Sequence, residues 1–174
     1  GSNFTVYNSP GNNFWLQKWN ASGNYIWGRY GQGSTTNKCI AIDGNNNIYF
    51  GGSHSGGVDF RWGPGFGQVN SSNGGVDAYL TKYNSSGNYV YDYTWGDLGN
   101  DEVSDISIDA NNNVIVAGTY ANGPDFNPGV VFTQIPAVGS TDAYVSKFNP
   151  SGTYQWTKTF GSSSADAGNA VSTD

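Results

Sequence analysis

An internal repeat with a period of about 64–65 residues constrains this chain more than any other feature. Asn13-Phe14-Trp15-Leu16-Gln17-Lys18-Trp19-Asn20 returns one period on as Asp77-Ala78-Tyr79-Leu80-Thr81-Lys82-Tyr83-Asn84. It returns a second time as Asp142-Ala143-Tyr144-Val145-Ser146-Lys147-Phe148-Asn149. The same punctuation follows each copy: Ala21-Ser22-Gly23-Asn24-Tyr25, Ser85-Ser86-Gly87-Asn88-Tyr89 and Pro150-Ser151-Gly152-Thr153-Tyr154. An Asn followed by x-Ser-Gly between two alternating aromatic runs predicts a hairpin, because Asn and Gly tolerate the positive φ of a tight turn. A period of this length marks a supersecondary unit that buries its apolar faces by stacking on its neighbours.

A second series keeps the same period: Cys39-Ile40-Ala41-Ile42-Asp43, Asp105-Ile106-Ser107-Ile108-Asp109, and Asn169 to Asp174. The first two run through Asn-rich turns into Ile48-Tyr49-Phe50-Gly51-Gly52 and Val114-Ile115-Val116-Ala117-Gly118. Gly or Asn interrupts every stretch that could carry a helical stripe. Each period is therefore expected to form four short antiparallel strands. These are roughly Val103 to Asp109 and Asn113 to Thr119, with Asp77 to Tyr83 and Asn88 to Trp95 from the preceding copy. A long insertion separates strands two and three, at 53–76 in one copy and 120–141 in the next. The fold expected is all-β, made of tandem β-propeller blades of four antiparallel strands and about 64–65 residues each. Apolar residues on both faces of the strands suit a sheet held between two neighbours.

Composition narrows the function classes. The 174 residues are 16% aromatic and only 11% charged, and 13 acidic residues against 7 basic ones leave a net charge of −6. That charge disfavours nucleic acid, whose phosphates need a basic surface. No run of about 18 apolar residues is present, so no membrane insertion by a helix is expected. The start, Gly1 to Phe4, lacks the pattern of a signal peptide, so any export signal has been removed or lies outside the sequence. Cys39 is the single cysteine and has no metal-spaced partner, which excludes a disulfide scaffold and a structural zinc site. Low charge with abundant Asn, Ser, Thr, Gly and aromatics fits an extracellular or cell-surface setting.

The pattern Asp-Ala-Tyr-(Leu/Val)-x-Lys-(Tyr/Phe)-Asn-x-Ser-Gly-x-Tyr, followed by Ile-x-Ile-Asp-x-Asn-Asn-Asn-Val-x-Val-Ala-Gly, resembles the bacterial β-propeller repeats known as SBBP repeats. Phe126-Asn127-Pro128-Gly129 after Pro124-Asp125 is similar to an insertion common in copies from secreted or surface proteins. The resemblance runs from about Phe4 to Asp174. It departs at Asn13-Phe14-Trp15, which replaces Asp-Ala-Tyr, and at the insertion Asp59-Phe60-Arg61-Trp62-Gly63-Pro64-Gly65. It implies a fold and an exported setting, and brings no catalytic residues with it.

Candidate sites sit on this framework. Asp59 and Asp125 correspond in the two insertions, each before a Phe and a Pro-Gly, and Asp101 lies in the densest acidic stretch, Asp97 to Asp105, which neither other copy matches. These three are the calcium candidates, since Ca²⁺ takes six to eight oxygen ligands; turn closure and a solvated acidic loop are the structural alternatives. Calcium is the one possible cofactor. Trp62, Phe66 and Tyr120 are candidate ligand-binding rings, or else they close the insertions onto the blade edge. Lys18, Lys82 and Lys147 share one repeat position and are read as rim residues. Asp43, Asp109 and Asp174 recur before Asn-rich turns and are read as turn-closing. His54 is the only histidine and has no partner at catalytic spacing. Asn149 to Trp156 is faintly similar to the Asp-box turn of sialidase propellers, a structural element there also.

At about 2.7 units the chain falls short of the roughly four to eight blades that close a ring. The expected division is 1–36, the tail of an insertion plus strands three and four; 37–96, a blade with insertion 53–76; 97–160, a blade with insertion 120–141; and 161–174, a link and first strand. The remaining blades then come from a longer parent chain or from head-to-tail assembly with other copies. The functional expectation is a non-catalytic binding or scaffold module, not an enzyme, contacting protein or glycan at a cell surface through its insertions. The alternatives are a fragment of a propeller enzyme, such as a polysaccharide lyase or an oxidoreductase, and a structural repeat in a surface filament or stalk.

Overall fold

The computed structural model describes residues 2–9, 13–61, 69–127 and 132–174, which carry eleven β-strands and no helix. These are β1 (Ser2–Ser9), β2 (Asn13–Asn20), β3 (Tyr25–Ile42), β4 (Ile48–Asp59), β5 (Asn70–Ser71), β6 (Asp77–Tyr83), β7 (Tyr89–Trp95), β8 (Glu102–Ile108), β9 (Val114–Tyr120), β10 (Asp142–Phe148) and β11 (Tyr154–Phe160). All pairings are antiparallel. One sheet has the order β1-β2-β3-β4-β6-β7, with β5 added to β4, and the other runs β11-β10-β9-β8.

Local chemistry sets the turns. In the β2–β3, β6–β7 and β10–β11 hairpins an Asn side chain closes the loop. Asn20 Oδ1 accepts from Ser22 N and Asn24 N, Asn84 Oδ1 from Ser86 N and Asn88 N, and Asn149 Oδ1 from Ser151 N and Thr153 N, all within 3.1 Å. Gly23, Gly87 and Gly152 supply φ of 78°, 78° and 89° at these turns, a region that L side chains enter only at a cost. Asp43 and Asp109 close the β3–β4 and β8–β9 turns in the same way. Each accepts two backbone N–H groups on Oδ1 and an Asn amide on Oδ2.

The long strand β3 serves two partners. Its first half pairs with β2 up to Gln32, and its second half pairs with β4, with register shifts at Gln32/Ser34 and Asn37/Cys39. Gly33 adopts φ 128° at the change-over, and the irregularities curl this sheet. Side chains alternate between two cores. Tyr79, Tyr83, Ile48 and Phe50 join Phe14, Leu16, Val58 and Phe60 within the curl. Ala78, Leu80, Tyr49 and Trp95 pack against Val103, Ile106, Val114, Val116, Tyr144 and Phe148 of the second sheet. Every residue of β6 is therefore buried, whereas β10 alternates between buried and half-buried.

Three expectations need correction. The sequence division gives 1–36 two strands of their unit; Ser2–Ser9 adds a third, in full antiparallel register with β2. The insertion at 53–76 is partly regular, because β4 continues to Asp59 and Gly57–Val58 pair with β5. The last segment, 161–174, carries no strand. It lies along β8 through Val171 N to Asp105 Oδ2 at 2.9 Å and Thr173 Oγ1 to the Ile108 carbonyl at 3.0 Å.

Leu80 is fully buried between the sheets, so Leu80→Ala is expected to lower stability by about 2–5 kcal/mol, measured as a shift in the urea unfolding midpoint.

Candidate functional site

The described residues form an open polar cavity of about 220 Å³ where the end of the first insertion meets the start of the second. Ser71 and Asn73 come from the first insertion and Asp125 and Asn127 from the second, while Asp77 at the start of β6 and Thr94, Trp95 and Gly96 at the end of β7 complete the wall. Two carboxylates, two amides and two hydroxyls line it without a basic residue, so anions are disfavoured there.

Asp77 is held by a device that recurs. A Cβ at Gly96 would collide with the Asp77 carboxyl, and one at Gly161 with that of Asp142, so the residue after β7 and β11 must be glycine for the carboxylate to lie there. Asp142 has both oxygens occupied, by Val138 N at 2.8 Å and Gly139 N at 3.2 Å. Asp77 receives one amide, Asn73 N at 3.0 Å on Oδ2, and its buried Oδ1 has no partner. The Trp95 indole, also buried, lies edge-on to the Tyr144 ring at 6.1 Å on the side of the second sheet. Burial raises the Asp77 carboxyl above the ordinary range, the Asn73 N–H opposes this, and the nearby Asp97 charge adds to it.

The calcium candidates are not gathered into one site. Asp125 lines the cavity; its Oδ1 accepts Asn127 N at 3.0 Å and Thr133 N at 2.7 Å. Asp59 is buried at the end of β4, with Oδ1 accepting Arg61 N at 2.8 Å. Asp101 is fully buried. It accepts Ala121 N at 3.1 Å and Asp97 N at 3.3 Å, while its own N–H donates to the Val76 carbonyl at 2.7 Å. Asp101 does have a counterpart. Asp166, one period on, accepts Ser162 N at 2.7 Å and donates its N–H to the Thr141 carbonyl at 2.8 Å. Among the described residues no three of His, Cys, Asp or Glu come together as a metal site would require.

Of the candidate ligand-binding rings, Trp62 and Phe66 lie outside the described residues. Tyr120 is fully buried, with its ring against Phe126 at 5.1 Å and Tyr144 at 6.2 Å, so it closes the insertion onto the sheet. His54 is buried edge-on to Phe60 and Tyr79, and burial lowers its pKa. Lys18 and Lys82 donate to the hairpin carbonyls of the next repeat, Ser85 at 3.2 Å and Pro150 at 2.7 Å, and Lys147 pairs with Asp109 at 2.9 Å.

Sequence reasoning does not single out Asp77, Asn73 or Trp95. The signal that could have found them is the equal Asp-to-Gly spacing shared by Asp77 with Gly96 and Asp142 with Gly161. Compared with known proteins, the chain matches no family model and no curated protein.

Burial raises the Asp101 carboxyl to about 6, against two opposing amide hydrogen bonds and with the Asp77 and Asp97 charges adding to it. Since the folded value exceeds the unfolded one of about 3.9, the stabilising contribution of this group is complete below about pH 4 and lost as pH rises through 6. Between pH 4 and 7 the stability of Asp101→Asn relative to the parent is therefore expected to rise by up to about 3 kcal/mol, read from urea melts across that range.

Proposed function

We propose that the chain is a run of four-stranded β-propeller blades, akin to SBBP repeats, serving as a non-catalytic binding or scaffold module of an exported or cell-surface bacterial protein. Antiparallel sheets stacked face to face and hairpin turns repeated with the sequence period support the blade reading. The exported setting rests on composition and on the resemblance of the repeat.

The observation that carries the binding reading is the cavity between the two insertions, lined by two carboxylates, two amides and two hydroxyls without a basic group. Sugar hydroxyls both donate and accept, so they suit a lining of carboxylate, amide and hydroxyl groups. The volume of about 220 Å³ is below the roughly 300–1,000 Å³ of drug-sized ligand pockets, which suits one sugar residue at the end of a glycan. Two carboxylates and no basic group favour a neutral sugar. Calcium between Asp77 and Asp125 is the competing occupant.

In a glycan array the chain is expected to retain neutral glycans and to turn none over. Thr94→Val, which keeps the side-chain shape and removes a hydroxyl from the cavity lining, should weaken retention about five- to a hundredfold. Hydrolase, lyase or oxidase activity on any retained ligand overturns the non-catalytic reading. Calcium binding by calorimetry that Asp125→Asn abolishes, without glycan retention, replaces the sugar by the cation.

A further inference from the structure

The two insertions leave the sheets at one repeat position that carries different residues. Gly52-Ser53-His54 of β4 answers Gly118-Thr119-Tyr120 of β9, and the register partners of His54 and Tyr120 on the next strand are Asp77 and Asp142. The surroundings correspond as well. Tyr120 packs on Phe126 and Tyr144 at 5.1 and 6.2 Å, and His54 on Phe60 and Tyr79 at 6.5 and 6.4 Å. The Tyr120 hydroxyl donates to the Pro136 carbonyl at 3.5 Å, so its polar atom is met. In His54, Nε2 is buried without a partner.

That nitrogen is the basic one. His54 Nδ1 lies 3.3 Å from the Gly56 carbonyl, which only accepts, so Nδ1 carries the hydrogen and Nε2 the lone pair. A proton taken up there charges a ring that is 1% exposed. The titratable groups on the packed elements do not meet it. Tyr79 of β6 donates its hydroxyl to Asn37, and the Asp77 carboxyl is turned onto Gly96, on the β7 side of β6 and away from β4. Thr35, opposite on β3, carries no charge, and β5 has no ionisable residue. Asp59, further along β4, has Oδ1 on Arg61 N at 2.8 Å. Both neighbouring ring centroids stand beyond the roughly 6 Å over which a ring face holds a cation. Burial accordingly lowers the His54 pKa, with the Gly56 hydrogen bond opposing it.

His54 also stands where the sheet hands the strand over to the first insertion. It is the last residue of β4 paired with β6. Beyond it the register with β3 shifts between Gln32 and Ser34, Gly56 takes φ 64°, and Gly57–Val58 pair with β5. The Gly56 carbonyl that receives His54 Nδ1 also accepts Ser72 N at 3.2 Å, while Gly56 N donates to Ser72 Oγ at 2.8 Å. One carbonyl thus joins the imidazole to both arms of the insertion. Val58 and Phe60 anchor the same segment in the core of the curl, and Phe60 is the ring against His54.

We propose that His54 is an acid-sensitive latch: neutral, it holds the first insertion on the sheet, and a proton on Nε2 releases the part of the insertion beyond it. Withdrawal of Phe60 lets water reach the ring and solvates the charge. In the released state the imidazole regains its ordinary pKa of about 6.5. The closed state binds the proton less readily, so the latch is complete above that pH and is lost as the pH falls through it. The second insertion, with Tyr120 at this position, has no such proton site there. Ser71 and Asn73 of the cavity wall belong to the released segment, so a neutral glycan held there is let go in acid. That last step alone rests on the cavity reading.

Amide hydrogen exchange between pH 7.5 and 5, corrected for the intrinsic rate, tests the latch. Protection of residues 55–61 and 69–76 is expected to fall by up to about tenfold per pH unit below 6.5, while that of 114–120 in β9 does not. His54→Tyr, which installs the residue of the second unit, should remove the fall. Asp101, whose stabilising effect runs the opposite way with pH, is present in both proteins and cancels from the comparison. Unchanged protection of the insertion, an equal fall in β9, or a fall that persists in His54→Tyr overturns the proposal. A second measurement needs no variant: His54 is the only histidine, so its Cε1 proton resonance reports the titration directly. A midpoint below 6.5 is expected, and one at or above 6.5 shows the charge to be met and overturns the latch. Glycan retention at pH 7.5 that is lost at pH 5 in the parent, and kept in His54→Tyr, joins the latch to the cavity. Release of the insertion with retention absent, or equal at both pH values, counts against the cavity reading and leaves the latch standing.

Discussion

Everything in this structure depends on burying both faces of a sheet. β6 shows the constraint in its purest form. Its tyrosines go into the curl of the first sheet, its Ala and Leu go against the second, and all seven residues are shielded from water. A strand of this kind has no polar face to give to solvent, so β6 requires packing on both of its faces. Fully burying a Leu or a comparable ring contributes about 1.5–3 kcal/mol relative to exposure. Stacking is therefore the main source of stability, and the hairpins only set the spacing at which it occurs.

Polar chemistry follows from the same arrangement. The Asn and Asp turns satisfy their own backbone and need nothing from neighbouring units, which suits them to repetition. The lysines act between units. Lys18 and Lys82 send their ammonium groups to hairpin carbonyls of the following repeat, a contact that fixes the register of one unit against the next. Asp77 and Asp142 mark where the scheme differs between copies. An identical Asp-Gly device closes fully around Asp142 and leaves one oxygen unmet at Asp77. The cavity between the insertions forms at the incompletely closed copy.

Much of the strand layout was legible in the sequence because period and alternation are local signals. The expected strands at Asp77–Tyr83, Val103–Asp109 and Asn113–Thr119 lie within a residue of those observed, and the turn roles of Asp43 and Asp109 follow from an Asx side chain before an Asn-rich loop. β1 escaped notice because Ser2–Ser9 matches neither repeat series and is recruited by the open edge of β2. The extension of β4 into the insertion escaped for a related reason: it depends on pairing with β5, a partner on the far side of the loop. The Asp101 clasp was obscured by the acids around it, although its counterpart Asp166 stands one period on.

The sequence by itself determined the period, the turns and which residues alternate across each strand, since these depend on neighbours a few positions apart and on intrinsic backbone preference. The tertiary structure alone decided which residues at equivalent repeat positions are buried and which stay open. Leu80 and Val145 occupy one repeat position, yet Leu80 is buried against the second sheet and Val145 is half-buried. It also decided that Tyr120 is core and that Asp77 and Asp125, from different repeats, share one cavity wall. Burial and proximity arise from packing between distant segments, and a one-dimensional pattern carries no direct record of that packing.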